Sequence, residues 1–360
     1  RKEREEKEKE IERLKKILAS REEIDAIIKN DLLYLKKTYG DERRTEIREA
    51  AVEMDIEDLI QEEDNVVILT AGGYIKRVSL NEYKSQKRGG KGLIGMRMKD
   101  EDAIYKIVKA STHDYLLFFS SDGRVFVKKT YEIPYGGRHA KGRALINIIR
   151  SNDIVEILPV KEFAEVNLIF ATKDGLVKKM SLNLLKNIRV SGVRAIKLRD
   201  GDRIVGVRLL GEDEKIILST KDGYACVFYE DELRNMGRNA MGVIGIRLRE
   251  GDEVVSLEAT KRGDLLSVTE NGYGKRTSID EYRVTHRGTR GIITIKTNER
   301  NGRVVSVIAV DDENEILISS KDGMMVRIKA TDIRRQGRNT MGVRLMRLNE
   351  GDKVVSVTKI

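Results

Sequence analysis

The chain has 360 residues, of which 69 are Lys or Arg and 59 are Asp or Glu, and its formal net charge is +10. At about 150 residues per domain, this length predicts two domains or one large repetitive domain. No run of about 18 apolar residues occurs, which excludes a membrane-spanning helix, and the single cysteine, Cys226, excludes an intramolecular disulfide framework and a cysteine-based zinc site.

The chain begins Arg1-Lys2-Glu3-Arg4, which has the composition of neither a signal peptide nor a transit peptide and includes no initiator Met. We therefore expect a piece of a longer protein, located in a reducing cytoplasm and not attached to a membrane. The charge is divided unevenly, because residues 1–64 contain 15 basic and 21 acidic residues, whereas residues 65–360 contain 54 basic and 38 acidic ones. A basic region of this size favours a polyanion as partner.

Residues 1–50 are predicted to be helical. Apolar residues recur at helical spacing among Glu, Lys and Arg over residues 1–18, as expected for the end of a long exposed helix or one arm of a coiled coil. Ser20 and Glu23 form a capping box that begins a second helix, and Gly40 is suited to end it. Residues 51–64 are acidic and weakly periodic, so we expect a linker there.

From residue 65 onward, turn signals recur at intervals of 48 to 52 residues. A tight turn ends in a glycine six times, and these hairpin glycines are Gly73, Gly123, Gly175, Gly223, Gly272 and Gly323. A second set, termed the loop glycines, comprises Gly92, Gly142, Gly192, Gly242, Gly291 and Gly342. The turns predict β-hairpins, and six copies without intervening helices predict an all-β ring of six small sheets. Ring closure protects strand edges that a linear array would expose.

Basic residues recur at fixed distances from these glycines. Five residues after the loop glycine stand Arg97, Lys197, Arg247, Lys296 and Arg347, with Asn147 in the second repeat. Four residues before it stand Arg88, Arg138, Arg238, Arg287 and Arg338, with Ile188 in the third repeat. A basic pair follows the hairpin in three repeats, as Lys76-Arg77, Lys178-Lys179 and Lys275-Arg276.

The residue five positions after the loop glycine lies between two apolar residues, which in the second repeat are Ile146 and Ile148. If this segment is a strand, its side chains alternate between two faces, so the apolar pair points into the blade and the basic residue points toward solvent. Charge that recurs around a ring makes a curved basic track, which suits a bent polyanion. Trp is absent and aromatic residues make up 5% of the chain, which disfavours base stacking on single strands. The alternative is a propeller-like scaffold for protein partners whose charge is incidental.

One loop differs from its five relatives. It reads Gln86-Lys87-Arg88-Gly89-Gly90-Lys91-Gly92, and it resembles the heptapeptide box of the DNA gyrase A family, whose usual form has Arg at the position of Lys87. The flanking segments 72–77 and 39–47 are also similar to that family. The resemblance covers the whole chain, and a near-complete box favours gyrase over its relative topoisomerase IV, whose accessory DNA-binding domain is the alternative within the superfamily.

The resemblance implies a six-bladed β-pinwheel, a propeller-like ring with a strand exchanged between neighbouring blades, preceded by short N-terminal α-helices. Residues 1–50 would be the end of the coiled-coil arm and the final helix of the breakage-reunion region. Residues 65–360 would be the DNA-wrapping domain, with the box at 86–92 helping to close the ring and hold DNA.

The implied partners are duplex DNA, the rest of the gyrase A polypeptide, and the gyrase B polypeptide in an A2B2 holoenzyme that uses ATP and Mg²⁺ through other regions. Within this chain, the resemblance implies no catalytic tyrosine, and the sequence contains no Walker loop and no histidine spacing typical of a metal site. We therefore predict no catalytic, metal or cofactor site here. The predicted DNA-binding residues are the box and the recurrent basic positions given above.

Overall fold

The computed structural model describes residues 2–41, 45, 56–80, 103–137 and 140–359. The chain divides into two compact units, Arg1–Asp55 and Ile56–Ile360. The first contains helix α1 (Lys2–Ala19) and helix α2 (Arg21–Tyr39). The Ser20 side chain accepts a hydrogen bond from the backbone N–H of Glu23, and Gly40 N donates to Lys36 O at 3.0 Å, as expected for the two ends of α2. Among the described residues, neither helix has the length and apolar composition needed to cross a bilayer.

The second unit consists almost entirely of short strands. Its strands, over the described residues, are β1 (Asp64–Thr70), β2 (Tyr74–Ser79), β3 (Ile104–Ser111), β4 (Tyr115–Ser120), β5 (Arg124–Lys129), β6 (Arg143–Ala144), β7 (Ile154–Val160), β8 (Asn167–Thr172), β9 (Leu176–Ser181), β10 (Val193–Arg194), β11 (Ile204–Leu210), β12 (Lys215–Thr220), β13 (Tyr224–Tyr229), β14 (Val243–Ile244), β15 (Val254–Thr260), β16 (Asp264–Thr269), β17 (Tyr273–Ser278), β18 (Ile292–Ile293), β19 (Val304–Val310), β20 (Glu315–Ser320), β21 (Met325–Lys329), β22 (Val343–Arg344) and β23 (Val354–Lys359). Single 3₁₀ turns occupy Ile56–Leu59, Thr130–Glu132, Leu145–Asn147, Leu182–Leu185, Glu230–Glu232, Ile279–Glu281 and Ala330–Asp332.

These strands form six antiparallel sheets, which confirms the predicted six-bladed all-β fold. Each of five sheets contains an inner strand, the two strands of a hairpin, and a two-residue outer strand, as in the order β11-β8-β9-β14. The outer strand comes from the next repeat along the chain, so neighbouring blades exchange a strand. In the part of the chain that the structure describes, the sixth sheet has three strands, in the order β21-β20-β23.

The inner strands bring the last sheet beside the first. The hydroxyl of Ser356 on β23 donates to Tyr105 O on β3 at 3.0 Å, across a sequence separation of 251 residues. A contact between the first and last sheets makes the array a closed ring, as the repeat pattern predicts.

The hairpin glycines and the described loop glycines adopt positive φ, which explains why glycine recurs at both positions. The loop glycines also lie against the preceding blade. A Cβ on Gly242, for example, would come within 2.3 Å of Val177 O on β9. Strand exchange therefore depends on a residue without a side chain at the point where one blade's backbone crosses the next.

The core consists of apolar layers between adjacent sheets. Leu117 and Phe119 of β4 contact Leu168 and Phe170 of β8, and all four side chains are fully buried. The rings of Phe119 and Phe170 meet edge-on, with centroids 5.6 Å apart. Burial of each such side chain contributes about 1.5–3 kcal/mol, so the blades stabilise one another across every junction.

The segment after the loop glycine differs from the predicted strand. It pairs for two residues only and then continues irregularly, although Ile196, Ile246 and Ile295 are buried as expected. The second repeat departs further, because the 3₁₀ turn Leu145–Asn147 buries Leu145 and leaves Ile146 47% exposed. The predicted inward direction of Ile146 is therefore wrong, since a 3₁₀ turn does not alternate its side chains as a strand does.

The predicted linker 51–64 contacts the ring from Glu57 onward. The carboxylate of Glu57 accepts a hydrogen bond from Lys129 Nζ at 2.7 Å, His113 Nε2 lies 2.8 Å from Ile60 O, and Thr112 Oγ1 donates to Gln61 O at 2.9 Å. The second compact unit accordingly begins at Ile56, before the first strand of the ring.

Candidate nucleic-acid interface

The basic residue that follows each exchanged strand lies beside the loop of the next repeat. Lys197 N donates to Ala240 O at 3.2 Å, Arg247 N to Thr289 O at 2.8 Å, and Lys296 N to Thr340 O at 3.0 Å. The two predicted sets of basic residues are thereby brought together along the ring. Their described members are called the basic rim, and they are Lys197, Arg238, Arg247, Arg287, Lys296, Arg338 and Arg347.

Most side chains of the basic rim are exposed. Arg287 and Arg338 are half-buried, and the other five side chains are exposed. Within the described residues, no rim side chain forms an ion pair. Arg287 Nη1 and Arg338 Nη1 instead donate to the carbonyls of Ile244 and Ile293, at 3.1 Å and 3.3 Å. These carbonyls belong to exchanged strands of the preceding repeats, so strand exchange also orients the loop arginines.

Cations on the inner strands are compensated. Glu156 on β7 accepts from Lys106 on β3 at 3.1 Å and from Arg208 on β11, and Arg208 also donates to Glu258 on β15 at 2.8 Å. Burial alone would raise the pKa of Glu156, but the attraction of Arg208 and Lys106 outweighs it and lowers the pKa. The ring therefore separates paired charge on its inner strands from unpaired positive charge on the rim.

Four predicted DNA-contacting residues are inside the protein, and their prediction as surface contacts is wrong. Lys76, Lys178, Lys275 and Arg276 are at most 5% exposed. Lys178 Nζ donates to Ala195 O at 2.6 Å and to Arg238 O at 2.9 Å. Burial lowers the pKa of Lys178 to about 8. The hairpin strand that carries these residues faces the loop of the next repeat rather than solvent.

The other buried lysines hold equivalent loops. Lys76 Nζ donates to Ala140 O at 2.8 Å, and Lys275 Nζ donates to Gly337 O and Arg338 O at 2.5 Å and 2.7 Å. In the fourth repeat Cys226 takes this place, with Sγ 3.2 Å from Thr289 Oγ1. The side chains at this position thus hold the loop of the next repeat in place.

The buried Arg276 and the two remaining members of the basic pairs, Arg77 and Lys179, also have polar partners. Arg276 pairs with Asp312 at 2.6 Å, Arg77 Nε donates to Ile133 O at 3.0 Å, and Lys179 forms an ion pair with Glu230. Arg77 Nη1 also lies 3.6 Å from Glu63 Oε1, so Arg77 and Lys179 each have a carboxylate partner, which the side chains of the basic rim lack in the described residues. The predicted box residues 86–92 and the predicted contacts Arg97 and Arg138 lie outside the described residues.

Comparison with known proteins identifies the family. A family model described as the DNA gyrase C-terminal domain, beta-propeller, matches six segments, 64–107, 114–154, 167–210, 214–261, 263–311 and 314–360. These six matches coincide with the six repeats. The chain belongs to the DNA gyrase C-terminal domain family.

Relatives and solved structures of this family agree with that assignment. The chain is 42% identical to the DNA gyrase A subunit of Haloquadratum walsbyi over 96% of its own length and 42% of the relative's. It is 44% identical to the DNA gyrase A subunit of Escherichia coli over 89% and 37%, respectively. The chain thus spans about two fifths of the length of these curated relatives.

Among solved structures, a DNA gyrase A C-terminal domain matches with a TM-score of 0.69 and 34% identity, over 83% of this chain and all of that one. A topoisomerase IV C-terminal domain matches with a TM-score of 0.68 and 29% identity, over 84% of this chain and 94% of that one. The gyrase domain is therefore related to its topoisomerase IV counterpart.

The spacing of the glycines did not predict a set of arginine–tyrosine contacts at the outer edge of this gyrase-family ring. Tyr224 directly follows a hairpin glycine, and the guanidinium of Arg249 lies 3.4 Å from its ring centroid. Arg300 and Arg344 donate to the hydroxyl of Tyr273, the equivalent residue one repeat later, at 3.3 Å and 2.9 Å. The recurrence of Tyr after the hairpin glycine is the signal that could have located these arginines.

Proposed function

We propose that this chain is the DNA-wrapping domain of a gyrase A protein and that its basic rim binds the phosphates of duplex DNA. The observation that carries the proposal is the row of rim cations without carboxylate partners, ordered along a closed ring by strand exchange. Phosphate contacts of this kind bind duplex DNA irrespective of sequence. Membership of a family whose curated relatives are DNA gyrase A proteins supports the same function.

A distributed interface is needed because wrapping strains the duplex. Bending about 40 base pairs through half a turn costs on the order of 10 kcal/mol, given a persistence length of about 150 base pairs. A single basic loop does not offset that cost, whereas contacts spread along the ring bind the duplex in its bent form. The box at residues 86–92 is proposed to complete this path where the ring closes.

In the complete cytoplasmic enzyme, we propose that the wrapped segment is presented to the DNA gate of an A2B2 type IIA topoisomerase. ATP-driven strand passage powered by the gyrase B polypeptide would then introduce negative supercoils. In this proposal the present chain binds and bends DNA, while the catalytic tyrosine, the ATPase and Mg²⁺ belong to other regions.

The test combines binding with topology. A nicked circular plasmid is bound by the protein, ligated and deproteinised, and its linking number is compared with that of a protein-free control. We expect a salt-sensitive shift in linking number, and we expect the variant with Lys197, Arg247, Lys296 and Arg347 changed to Ala to lose it. Its log–log salt dependence of binding should be flatter by about 3 to 4 units, at about 0.9 per lost contact. An unchanged slope and linking number would contradict the proposal.

The same assay distinguishes DNA wrapping from the second candidate function, that of a topoisomerase IV accessory domain. This candidate is favoured by the TM-score of 0.68 to a topoisomerase IV domain, which is close to the 0.69 of the gyrase domain. Salt-sensitive duplex binding without any change in linking number would support that function. Absence of salt-sensitive duplex binding would instead support a protein-interaction scaffold.

A further inference from the structure

Among the described residues, a cleft at the outer edge of the ring is lined by five cations and no carboxylate. It has a volume of about 770 Å³ and lies where the exchanged strand β10 joins β5. Its cations are Arg124, Lys186, Arg189, Arg194 and Arg238, which come from the second, third and fourth repeats. Only Arg238 belongs to the basic rim, so the cleft extends the rim outward across three consecutive repeats.

Two of these cations oppose each other directly. Arg194 pairs with Arg124 in the antiparallel register of β10 and β5. At the same position in the other described sheets, Tyr74 opposes Ala144, Leu176 opposes Ile244, Tyr224 opposes Ile293, and Tyr273 opposes Arg344. Like charges directly opposite one another destabilise a strand pair. Among the described exchanges, this is the position at which two cations meet.

The cleft residues have few partners that would offset this repulsion. Arg124 Nη2 donates to Ser191 O at 2.7 Å and to Gly192 O at 3.3 Å. In the described part of the chain, the side chains of Lys186, Arg189, Arg194 and Arg238 make no ion pair or hydrogen bond, and all four are exposed. By contrast, Arg344 in the equivalent place of the sixth repeat donates to Tyr273 Oη.

We propose that this cleft is a fixed phosphate-binding point for the backbone of wrapped duplex DNA, with Lys186, Arg189, Arg194 and Arg238 contacting phosphate oxygens. The inference rests on the proposed DNA-wrapping function and adds a position to it. Continuity with the rim through Arg238 favours duplex DNA over a free polyphosphate. The third repeat, whose loop has Ile188 in place of the recurrent arginine, thus contributes three of the five cleft cations, Lys186, Arg189 and Arg194.

The test uses the full chain with Lys186, Arg189 and Arg194 changed to Ala. A matched control changes Lys161, Lys261 and Arg262 to Ala, which removes the same charge from exposed sites. The control sites follow Val160 and Thr260, whose partners Tyr115 and Lys215 begin β4 and β12, at the blade ends opposite the hairpin turns. A third variant, Lys186→Arg with Arg189→Lys and Arg194→Lys, retains the charge. Thermal unfolding checks that each variant folds.

For duplex binding, we expect the alanine cleft variant to flatten the log–log salt slope by about 2.7 units, at about 0.9 per contact. The control and the charge-retaining variant should keep a slope within about one unit of the parent. A cleft variant that behaves like the control overturns this inference while leaving the proposed function intact. A parent protein without salt-sensitive duplex binding overturns the proposed function.

Calorimetric titration with inorganic triphosphate tests whether the cleft binds a free polyphosphate instead of the phosphates of duplex DNA. If the cleft variant loses triphosphate binding but keeps the parent's duplex salt slope, the cleft binds a free polyphosphate, and its assignment to DNA is wrong. Equal triphosphate titrations together with a flattened duplex slope support the assignment.

Discussion

At the scale of single residues, the structure separates exposed lysines without a side-chain partner from buried lysines that shape a loop. Lys178 and Lys197 lie 19 positions apart, yet Lys178 is fully buried with carbonyl partners and Lys197 is exposed, with no side-chain partner in the described residues. A basic residue in a sequence therefore does not reveal which of the two roles it has. The decisive difference is whether a neighbouring repeat places carbonyl oxygens around its ammonium group.

The depressed pKa of Lys178 predicts how stability depends on pH. Its folded pKa of about 8 lies below the ordinary lysine value of 10.5, so above pH 8 the unfolded chain retains the proton that the folded chain has lost. The free energy of unfolding therefore gains a contribution from this residue as pH rises from about 8 to 10. Urea unfolding of the parent and of Lys178→Met across this range measures it.

We expect the free energy of unfolding of the parent, minus that of Lys178→Met, to increase as pH rises across that window. Lys197→Met is the matched control, because its exposed side chain should give a difference independent of pH. A constant difference for Lys178→Met would show that its ammonium is not desolvated in the folded state.

At the scale of elements, strand exchange explains why the hairpins can be predicted from the sequence and the outer strands cannot. Turns such as Lys173-Asp174-Gly175 encode their hairpins locally, so the hairpin strands and the sixfold repeat are readable from glycine spacing. The outer strand of each blade comes from another repeat, so its register and its neighbours are not local properties. For this reason the pattern identified the rim residue Lys197 but misplaced Lys178 and missed the pairing of Arg194 with Arg124.

Strand exchange also predicts that a loop glycine tolerates substitution less well than another glycine of positive φ. Gly242 and Gly201 both have positive φ, at 95° and 80°, but only Gly242 has backbone within reach of an added Cβ, whereas nothing lies within 4 Å at Gly201. Gly201→Ala should cost about 1–2 kcal/mol from the left-handed conformation alone. Gly242→Ala should cost at least about 2 kcal/mol more, because its Cβ would displace β14 from β9.

Chemical denaturation of the two glycine variants measures this difference directly, with identical chemistry at both sites. If Gly242→Ala and Gly201→Ala were equally destabilised, close backbone approach at the exchange would have no energetic importance, and positive φ alone would explain the recurrent glycine.

At the scale of the whole molecule, the ring distributes its ionic interactions unevenly. The linked ion pairs of Lys106, Glu156, Arg208 and Glu258 connect the inner strands of the first four sheets. The junction between the fourth and fifth sheets and the closing junction use serine hydroxyls, since Val307 N donates to Ser256 Oγ at 2.9 Å and Ser356 Oγ donates to Tyr105 O. Between the fifth and sixth sheets, Lys359 Nζ donates to Ala309 O at 3.3 Å. A network of ion pairs therefore links the inner strands of the first four sheets, whereas the closing hydrogen bond between Ser356 and Tyr105 is neutral.

This arrangement predicts a strong and pH-dependent effect of removing Arg208. Arg208→Met leaves the buried carboxylates of Glu156 and Glu258 under-compensated, which should cost about 3–5 kcal/mol at pH 7. The lowered pKa of Glu156 contributes stability that is present above its unfolded value and is lost as pH falls through the folded one. In Arg208→Met only Lys106 still opposes the effect of burial, so we expect the pKa of Glu156 to rise. Protonation of Glu156 then removes the cost of burying its uncompensated charge.

The stability gap between the parent and Arg208→Met should therefore narrow as pH falls from 7 toward 4, as measured by urea unfolding at each pH. The control is Arg303→Met, which removes an exposed partner 3.8 Å from Asp222 and should cost less than about 1 kcal/mol at every pH. A cost for Arg208→Met as small as that of the control would mean that the inner-strand ion pairs contribute no more to the ring than surface charges do. A large cost that did not change with pH would instead attribute the loss to packing of the arginine side chain, because titration of Glu156 would then play no part.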